Sequence, residues 1–390
     1  QTFHLFGTPE VSDTPGVGSQ SVLMNIDSGN AAYFTPEHPY GARLGVYDSR
    51  TGLYHDNVRV DRRGNTSGAF RKLSHGLRFN KAQPLVLSNE FTEAEIECRK
   101  SSFVSEYQDP SLVRQSLSFK VFRDMGLKTP FHYPVRVNLN GAFYQLAFHS
   151  ERFTDELIED HYELDPLGYS YKNVGYMEYL NTHAGEIEKK TPDDGNEKDL
   201  SVLAAFFQTI RGADGVTSAY TGDGMDSEIP SLTKTVVQTF DLPAWINYLA
   251  AARITQETDD YKANVSLYYD ANGTGTWMPL CYDLQLSWGQ YWDDSLKVDG
   301  KKIGTVADRD GWRSHPFFDG GNHAFKAVWG CEKFRRLYLR RLRTLMDRIL
   351  KEPGTAKEDT PFWDYVVAVT NRAAAEIKLD RGKWRGPGGV

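Results

Sequence analysis

The sequence has few cysteines, no long apolar run and no excess of positive charge, and each absence excludes a class of protein. Three cysteines, Cys98, Cys281 and Cys331, occur among 390 residues, and no Cys-x-x-Cys pair is present. This argues against a zinc site or a disulfide framework and predicts buried thiols. No apolar run approaches the roughly 18 residues of a membrane span. A formal net charge of −7 offers no overall attraction to nucleic acid.

Length and composition favour a globular chain with a sizeable core. The 390 residues suit one large domain or two packed lobes. Hydrophobic residues make up 40% and aromatic residues 13% of the chain, which is enough to fill such a core. The chain begins at Gln1 and shows no targeting segment, so we expect a processed or trimmed chain.

The N-terminal part of the chain is predicted to be rich in strands. A helix is predicted at 109–130, with Asp109 as its N-cap. A hairpin is predicted at 133–152, with Asn140 and Gly141 as its turn. Short alternating segments bounded by Gly, Asp and Pro indicate strands at 21–27, 42–48, 57–64, 76–81 and 84–89.

The C-terminal part is predicted to be rich in helices. Apolar periodicity indicates helices at 200–212, 241–257, 324–351 and 361–380, with a strand–turn–strand unit between the second and the third. The predicted fold class is therefore α+β. It has a β-rich N-terminal lobe with one helix over residues 1–150 and a helix-rich C-terminal lobe over residues 151–390. A crease between two such lobes is a common place for a ligand.

Acidic positions on both sides of that strand–turn–strand unit are typical of phosphoryl-transfer enzymes. Asn264 follows Asp259 by five residues, and Asp283 follows Asp259 by 24. In this arrangement the first Asp orients the attacking hydroxyl, whereas the Asn and the last Asp hold Mg²⁺ on the nucleotide phosphates. Asp283 is the most informative of these, because a carboxylate inside the apolar run "MPLCYDLQLSW" is costly to bury without a cation. Asp260 can replace Asp259 in the pattern, and all these residues are also typical of turns and helix ends.

A nucleotide site also needs a cation that faces the phosphates, and residues 62–79 contain the candidates. The segment reads as a strand end, a polar loop and a second strand. Lys72 and Arg78 fall on one face if the second strand runs unbroken, because strand faces repeat every two residues. Arg63 precedes the loop, whose backbone N–H groups can bind phosphate. These three residues are the candidates for nucleotide binding, and a solvated basic hairpin is the alternative interpretation.

Several segments, taken in order, resemble the CotH kinase family, which is named after a spore coat protein. "RGNTSGAFRKLSHGLRF" resembles the family's Arg-Gly-x-Ser-Ser loop and the strand after it, and "DPSLVRQSLSFKVFRDMGLKTP" resembles its Asp-x-Ser-x-x-Arg helix. "VRVNLNGAFYQLAFHSERF" is similar to its hairpin ending in Glu, and "INYLAAARITQETDDYKANVSLYYD" to the helix leading into Asp-x4-Asn. "WMPLCYDLQLSWG" resembles its Trp-Asp-Leu-Asp-x-x-Phe-Gly signature. The resemblance covers roughly residues 55–385.

The resemblance implies an atypical, two-lobed protein-kinase-like fold and an enzyme that uses ATP with Mg²⁺ or Mn²⁺. The implied acceptor is a Ser or Thr of a secreted or surface protein, which also implies a secreted or cell-surface location. Carried over position by position, the family's functional residues are the phosphate-facing Lys72, Glu151 near the nucleotide, the catalytic Asp259, and the metal ligands Asn264 and Asp283.

Departures from the family pattern support a second hypothesis. Gln285 replaces the second Asp of the signature and Trp288 replaces its Phe, so one carboxylate near the metal is lost. A catalytically weak or inactive surface-binding or adhesion protein is therefore the alternative to a kinase. The kinase is favoured because Lys72, Asp259, Asn264 and Asp283 are all present.

Overall fold

The computed structural model describes residues 2–7, 42–64, 67, 70–87, 95–139, 141–172, 187–212, 230–257, 264–298, 301–305 and 323–384. The predicted strand at 21–27 lies outside these residues, and so do the predicted catalytic Asp259 and its alternative Asp260. The described residues form a mixed α/β structure with one large sheet.

The first part of the described chain consists mainly of strands. They are β1 Thr2–Gly7, β2 Ala42–Asp48, β3 Leu53–Arg63, β4 Ser74–Arg78, β5 Leu85–Leu87, β6 Ile96–Cys98, β7 Lys100–Val104, β8 His132–Leu139 and β9 Ala142–Glu151. Seven of these described strands close into a barrel in the order β1-β2-β3-β4-β7-β9-β8. β1 and β8 are parallel, and the other neighbours are antiparallel. β5 and β6 pair separately.

The barrel closes around an apolar interior because alternate residues of its strands are hydrophobic. Val58 and Val60 on β3, and Val135 and Val137 on β8, are buried and belong to the same hydrophobic core. Strand predictions for 42–48, 57–64, 76–81 and 84–89 are confirmed, with ends that differ by a few residues. The predicted hairpin is also confirmed as β8 and β9.

The helix predicted at 109–130 is shorter than expected and begins at Arg114 rather than next to Asp109. This helix, α1, spans Arg114–Asp124. The Asp109 carboxylate accepts hydrogen bonds from the backbone N–H groups of Ser111, Val113 and Arg114 and also pairs with the Arg114 guanidinium. Asp109 therefore holds a turn that precedes the helix and, through the Arg114 N–H, also caps its first turn.

The second part of the chain combines a smaller sheet with helices. Strands β10 Tyr169–Lys172, β11 Glu188–Thr191, β12 Ser266–Tyr269 and β13 Trp277–Leu280 form an antiparallel sheet in the order β11-β10-β12-β13. β14 Gln290–Val298 pairs with β15 Lys301–Thr305. The remaining described α-helices are α2 Ser201–Gly212, α3 Pro230–Thr239, α4 Leu242–Ile254, α5 His323–Trp329, α6 Glu332–Leu345, α7 Trp363–Arg372 and α8 Ala374–Trp384. The helix predicted at 324–351 is thus interrupted between Trp329 and Glu332.

Helix α4 lies in a second hydrophobic core. As predicted, the helix starts after Asp241, whose carboxylate accepts a hydrogen bond from the N–H of Ala244 at 3.1 Å. The buried Trp245 donates its indole N–H to the carbonyl of Trp277 at 2.8 Å. Phe206 of α2 stacks on Trp277 with ring centroids 4.5 Å apart. These contacts pack the helices against strand β13.

Two helices connect the parts of the chain across the predicted boundary near residue 150. Helix α1 precedes that boundary but contributes Phe119 and Phe122 to the second core. Helix α8 ends the described chain but packs on the barrel, where Trp384 joins the barrel core. The Trp384 indole N–H donates to the carbonyl of Tyr144 at 3.3 Å. The division into residues 1–150 and 151–390 stays a prediction.

All three cysteines are buried and free, as predicted. The Cys281 thiol donates to the carbonyl oxygen of Lys128 at 3.0 Å. Within the described ranges, no helix combines the length and the apolar character that crossing a membrane requires.

Candidate active site

The β12–β13 hairpin brings Asn264 and Asp283 to the same end of the smaller sheet. Ser266 pairs with Leu280 at the open end of the hairpin, and Asn264 and Asp283 follow two and three residues beyond that pair. Asp283 has a φ of +59°, a left-handed conformation that aspartate adopts more readily than most other residues with a side chain. The two predicted metal ligands therefore lie at the same, open end of the hairpin.

The Asp283 carboxyl lies in a partly buried, positively charged environment. Burial raises the pKa of Asp283, whereas the charges of Arg63 and Lys172 and a hydrogen bond with Gln285 lower it, and the effect of burial is larger. The Lys172 ammonium lies 4.6 Å, and the Arg63 guanidinium 5.6 Å, from the centroid of the Tyr282 ring. The protein thus only partly offsets the cost of burying this carboxylate, and a bound cation would favour its ionised form.

A second buried carboxyl group, Glu106, lies within electrostatic range of Asp283. Glu106 is 1% exposed, and neither of its carboxyl oxygens has a hydrogen-bond partner among the described residues. Burial and the charges of Asp109 and Asp283 raise the pKa of Glu106 well above its ordinary value, and Lys72 lowers it. His132 lies close to Glu106, with Nε2 3.6 Å from Oε1, but its pKa is lowered to about 3, mainly by burial, which keeps it neutral. Among the described residues, the charge of Lys72 therefore opposes the effects of burial and of neighbouring carboxylates on the pKa of Glu106.

The charge of Lys72 lowers the pKa of Glu106, and the Lys72 ammonium pairs with Asp380 of helix α8. Lys72 is 1% exposed, and Nζ donates to Asp380 Oδ2 at 2.8 Å. The other oxygen of Asp380 accepts the backbone N–H of Leu146 at 2.8 Å. Strand β4 begins only at Ser74, and Arg78 is exposed. The unbroken strand on which Lys72 and Arg78 were predicted to share a face is therefore absent from residues 70–78.

Glu151 ends β9, as the hairpin prediction requires, and its carboxylate connects neighbouring segments. Glu151 Oε2 accepts the backbone N–H of Phe131 at 2.7 Å and lies 2.7 Å from His161 Nδ1. These contacts fix the end of the barrel strand. The predicted role of Glu151 near a nucleotide stays a prediction.

Arg63 and Arg78 line an open cleft between the barrel and strands β10 and β11. The cleft has a volume of about 160 Å³. Tyr282, the residue before Asp283, also lines it, so the cleft leads to the predicted metal ligand. Its basic residues are Arg63, Arg78, Lys100, Arg152, Lys172, Lys189 and Lys190, and its acidic residues are Asp155, Glu188, Asp193, Asp194 and Glu197.

Three of these seven cations have a carboxylate partner. Lys100 lies 3.2 Å from Asp155, Lys189 lies 2.6 Å from Asp194, and Lys190 pairs with Glu188. The other four cations form no ion pair within 4.0 Å with any described residue. They are Arg63, Arg78, Arg152 and Lys172.

Burial and mutual repulsion disfavour the charged forms of three of the unpaired cations. The pKa of Lys172 is lowered to about 7, mainly by burial and next by the charge of Arg63. Burial lowers the pKa of Arg63 to about 10, with Arg152 adding to the effect. Burial also lowers the pKa of Arg152. The charge of Asp61 raises this pKa, and the charge of Arg78 lowers it. The cleft is therefore electrostatically prepared for an anion.

Four residues of this region were not identified from the sequence. Glu106 carried the same signal as Asp283, since it is an acid in an apolar context, "FVSEY". Arg152 directly follows the predicted Glu151. Lys172 in "YSYK" has no distinguishing local pattern, and Asp380 lies 308 residues from the Lys72 that it binds.

The described side chains do not form a complete metal site of the usual residue types. Among the residues that the structure covers, no group of three His, Cys, Asp or Glu is placed to hold a metal ion. Asn264 is not one of those types, and Asp259 lies outside the described residues. The predicted metal ligands that the structure does describe are Asn264 and Asp283.

A mixed α/β structure in which a partly buried aspartate lies at the end of a hairpin, beside several cations, is compatible with a kinase-like enzyme. The comparison with protein families supports this class. The family model described as "CotH kinase protein" matches residues 60–388, nearly the whole chain. The chain therefore belongs to the CotH kinase family, as the sequence resemblance indicated. A search of the curated proteins found no match.

Proposed function

We propose that the protein is an atypical, two-lobed protein kinase that transfers the γ-phosphoryl group of ATP to a Ser or Thr of a secreted or surface protein. The observation that carries this proposal is the position of Asp283, at the hairpin edge and beside Arg63 and Lys172. Membership of the CotH kinase family supports it. ATP lies between the barrel, as the N-terminal lobe, and the helix-rich C-terminal lobe.

Asp283 and Asn264 are the residues that would hold Mg²⁺ or Mn²⁺. Both offer the oxygen donors that these ions prefer, and they leave the hairpin at the same edge. The Asp283 and Glu106 carboxyl groups fit a cation, because burial raises the pKa of both and a bound cation would favour their ionised forms. When bound, the ion neutralises negative charge on the transferred phosphate.

The chain's own residues position the reactants. Asp259 orients the acceptor hydroxyl and takes its proton as the hydroxyl oxygen bonds to the γ-phosphorus. The bond between the γ-phosphorus and the bridging oxygen breaks, and ADP leaves with that oxygen. Arg63 and Lys172 stabilise the phosphate charge beside Asp283. Lys72 adds a fixed positive charge next to Glu106 while Asp380 holds its ammonium.

Substitution of the two aspartates separates chemistry from binding. Asp259→Ala should keep nucleotide affinity but lose transfer by about 100-fold or more, since it removes only proton transfer and orientation. Asp283→Ala should weaken metal-dependent ATP binding by about tenfold or more. Calorimetry with ATP and Mn²⁺ measures binding, and γ-labelled ATP measures transfer to the chain itself and to casein. Transfer by Asp283→Ala at the wild-type rate would contradict the proposal.

A binding protein without turnover is the second candidate function. The buried pair of Lys72 and Asp380 favours it, because an engaged ammonium is not free to reach a phosphate. The substitution of Gln285 for an acid points the same way. Absence of both nucleotide binding and transfer in the wild-type protein, with any metal, would select this candidate.

A further inference from the structure

The four unpaired cations of the cleft form a row that starts at Asp283. The charges of Arg63 and Lys172 both lower the pKa of the Asp283 carboxyl. The charge of Arg152 lowers the pKa of Arg63, and the charge of Arg78 lowers the pKa of Arg152. Positive charge is therefore linked from Asp283 through Arg63 and Lys172 to Arg152 and Arg78, all four of which line the cleft.

Contacts hold several of these side chains in place. The Arg63 guanidinium donates to the Ser102 hydroxyl. Arg152 Nη1 packs over Gly76, 3.4 Å from the point where a Cβ atom would stand, so the absence of a side chain at residue 76 leaves room for the guanidinium. Because these groups have no ion-pair partner among the residues that the structure covers, an arriving anion gains charge-assisted hydrogen bonds with little loss of side-chain freedom.

The carboxylates of the cleft do not neutralise this row. Glu188 raises the pKa of Arg63, Arg152 and Lys172, but it is already paired with Lys190. Asp283 also raises the pKa of Arg63 and Lys172, and Asp61 raises that of Arg152. Asp193 and Glu197 are exposed on the turn after β11. Basic residues outnumber acidic residues in the lining of the cleft by seven to five.

The lining favours an extended anion over a nucleoside. Phe153 and Tyr282 are the aromatic residues among the described residues that line the cleft, and both Arg63 and Lys172 lie over the Tyr282 ring. A purine base would find charged groups where it needs apolar walls. Spaced carboxylates or phosphates on an extended peptide match the spaced cations.

We propose that this cleft binds an anionic segment of the acceptor protein, with carboxylate or phosphate groups close to the Ser or Thr that receives the phosphoryl group. The inference rests on the proposed function, because it places the acceptor beside Asp283. It makes the enzyme selective for acceptor sites in acidic or already phosphorylated segments. The γ-phosphate remains at the inner end of the cleft, and the anionic segment occupies the outer part near Arg152 and Arg78.

Fluorescence anisotropy with the full chain tests this assignment. The probes are fluorescein-labelled nine-residue peptides with a central Ser, flanked by Glu, by phosphoserine, by Gln or by Lys. Binding of the Glu or phosphoserine peptide should be about tenfold tighter than that of the Gln and Lys peptides, and it should weaken as salt increases. The tighter of the two anionic peptides identifies whether carboxylate or phosphate is preferred.

Matched variants locate the binding. Arg78→Gln combined with Arg152→Gln should weaken binding of the anionic peptide about tenfold or more, whereas Arg340→Gln, an exposed arginine on helix α6, should leave it unchanged. Equal binding of all four peptides, or unchanged binding by the double variant, would overturn the inference. Circular dichroism confirms that the double variant is folded.

Competition with ATP separates this inference from the proposed function. Addition of ATP and Mn²⁺ should leave the anionic peptide bound, and its displacement would overturn the inference by assigning the cleft to the nucleotide. If the peptide binds through Arg78 and Arg152 but no nucleotide binds under any condition, the anion site stands and the proposed kinase activity fails.

Discussion

Lys72 and Arg152 are both cations of the barrel, but their surroundings differ. Lys72 is 1% exposed and pairs with Asp380 at 2.8 Å, and Asp380 is itself fixed by the N–H of Leu146. Arg152 lines an open cleft and forms no ion pair with any residue that the structure describes. A buried cation matched by its own carboxylate serves the fold, whereas a row of unmatched cations at an opening is suited to a ligand.

The largest expected effect is on the matched pair. Asp380→Ala leaves the Lys72 ammonium buried without its carboxylate partner and removes the acceptor for the Leu146 N–H. We expect a loss of about 3–5 kcal/mol in the free energy of unfolding. Urea denaturation monitored by circular dichroism measures this loss.

A double substitution tests whether the loss comes from the unmatched charge. Lys72→Met combined with Asp380→Leu removes both charges and fills similar volume, so it should be substantially more stable than Asp380→Ala alone. If the double variant is as unstable as the single one, the pair is not the reason for the loss.

Features that depend on neighbouring residues could be predicted from the sequence, whereas contacts between distant segments could not. The cap at Asp241, the β8–β9 hairpin and the buried thiols each depend on a few neighbouring residues, and all were predictable. The start of α1 was mispredicted because Asp109 uses its carboxylate on a turn ahead of the helix. The ion pair of Asp380 with Lys72, and the electrostatic interaction of Asp283 with Arg63, depend on chain segments far apart in sequence. No local pattern encodes such pairings, so the acidic pattern and Arg63 were identified from the sequence, whereas Lys172, Arg152 and Asp380 were not.

An effect of intermediate size is expected from His149 in the barrel, whose contribution to the free energy of unfolding depends on pH. Burial lowers the pKa of His149 to about 3, and neither ring nitrogen has a hydrogen-bond partner among the described residues. The folded state therefore favours neutral His149. Its contribution to stability is complete above the ordinary pKa of 6.5 and is lost as pH falls from 6.5 towards 3. The loss reaches up to about 1.4 kcal/mol per pH unit.

His149→Phe removes this titration while keeping an aromatic ring next to Tyr133, on which His149 stacks. Between pH 7.5 and pH 5 the wild-type protein should lose up to about 2 kcal/mol more stability than the variant. Urea denaturation at both pH values provides the comparison. An identical loss in both proteins would show that His149 is protonated without cost in the folded state.

The smallest expected change in the free energy of unfolding comes from substitution of Arg152. Arg152→Gln removes a cation that is repelled by Arg63 and Arg78, so the free energy of unfolding should stay the same or rise by up to about 1 kcal/mol. Arg340→Gln provides the matched control for loss of an arginine. A clear destabilisation by Arg152→Gln would contradict the contrast with Lys72, because it would show that the cleft cations also serve the fold.

Thermal unfolding with ATP and a divalent metal tests the central claim, that Asp283 forms part of a metal-dependent nucleotide site. The wild-type protein and Asp283→Ala are each heated alone, with ATP, with Mg²⁺ or Mn²⁺, and with both. A ligand at about 100 times its Kd stabilises the folded state by about 2.7 kcal/mol. The account predicts a rise in the unfolding midpoint that needs both nucleotide and metal and that disappears in Asp283→Ala. No rise with any combination, or an equal rise in the variant, would contradict it.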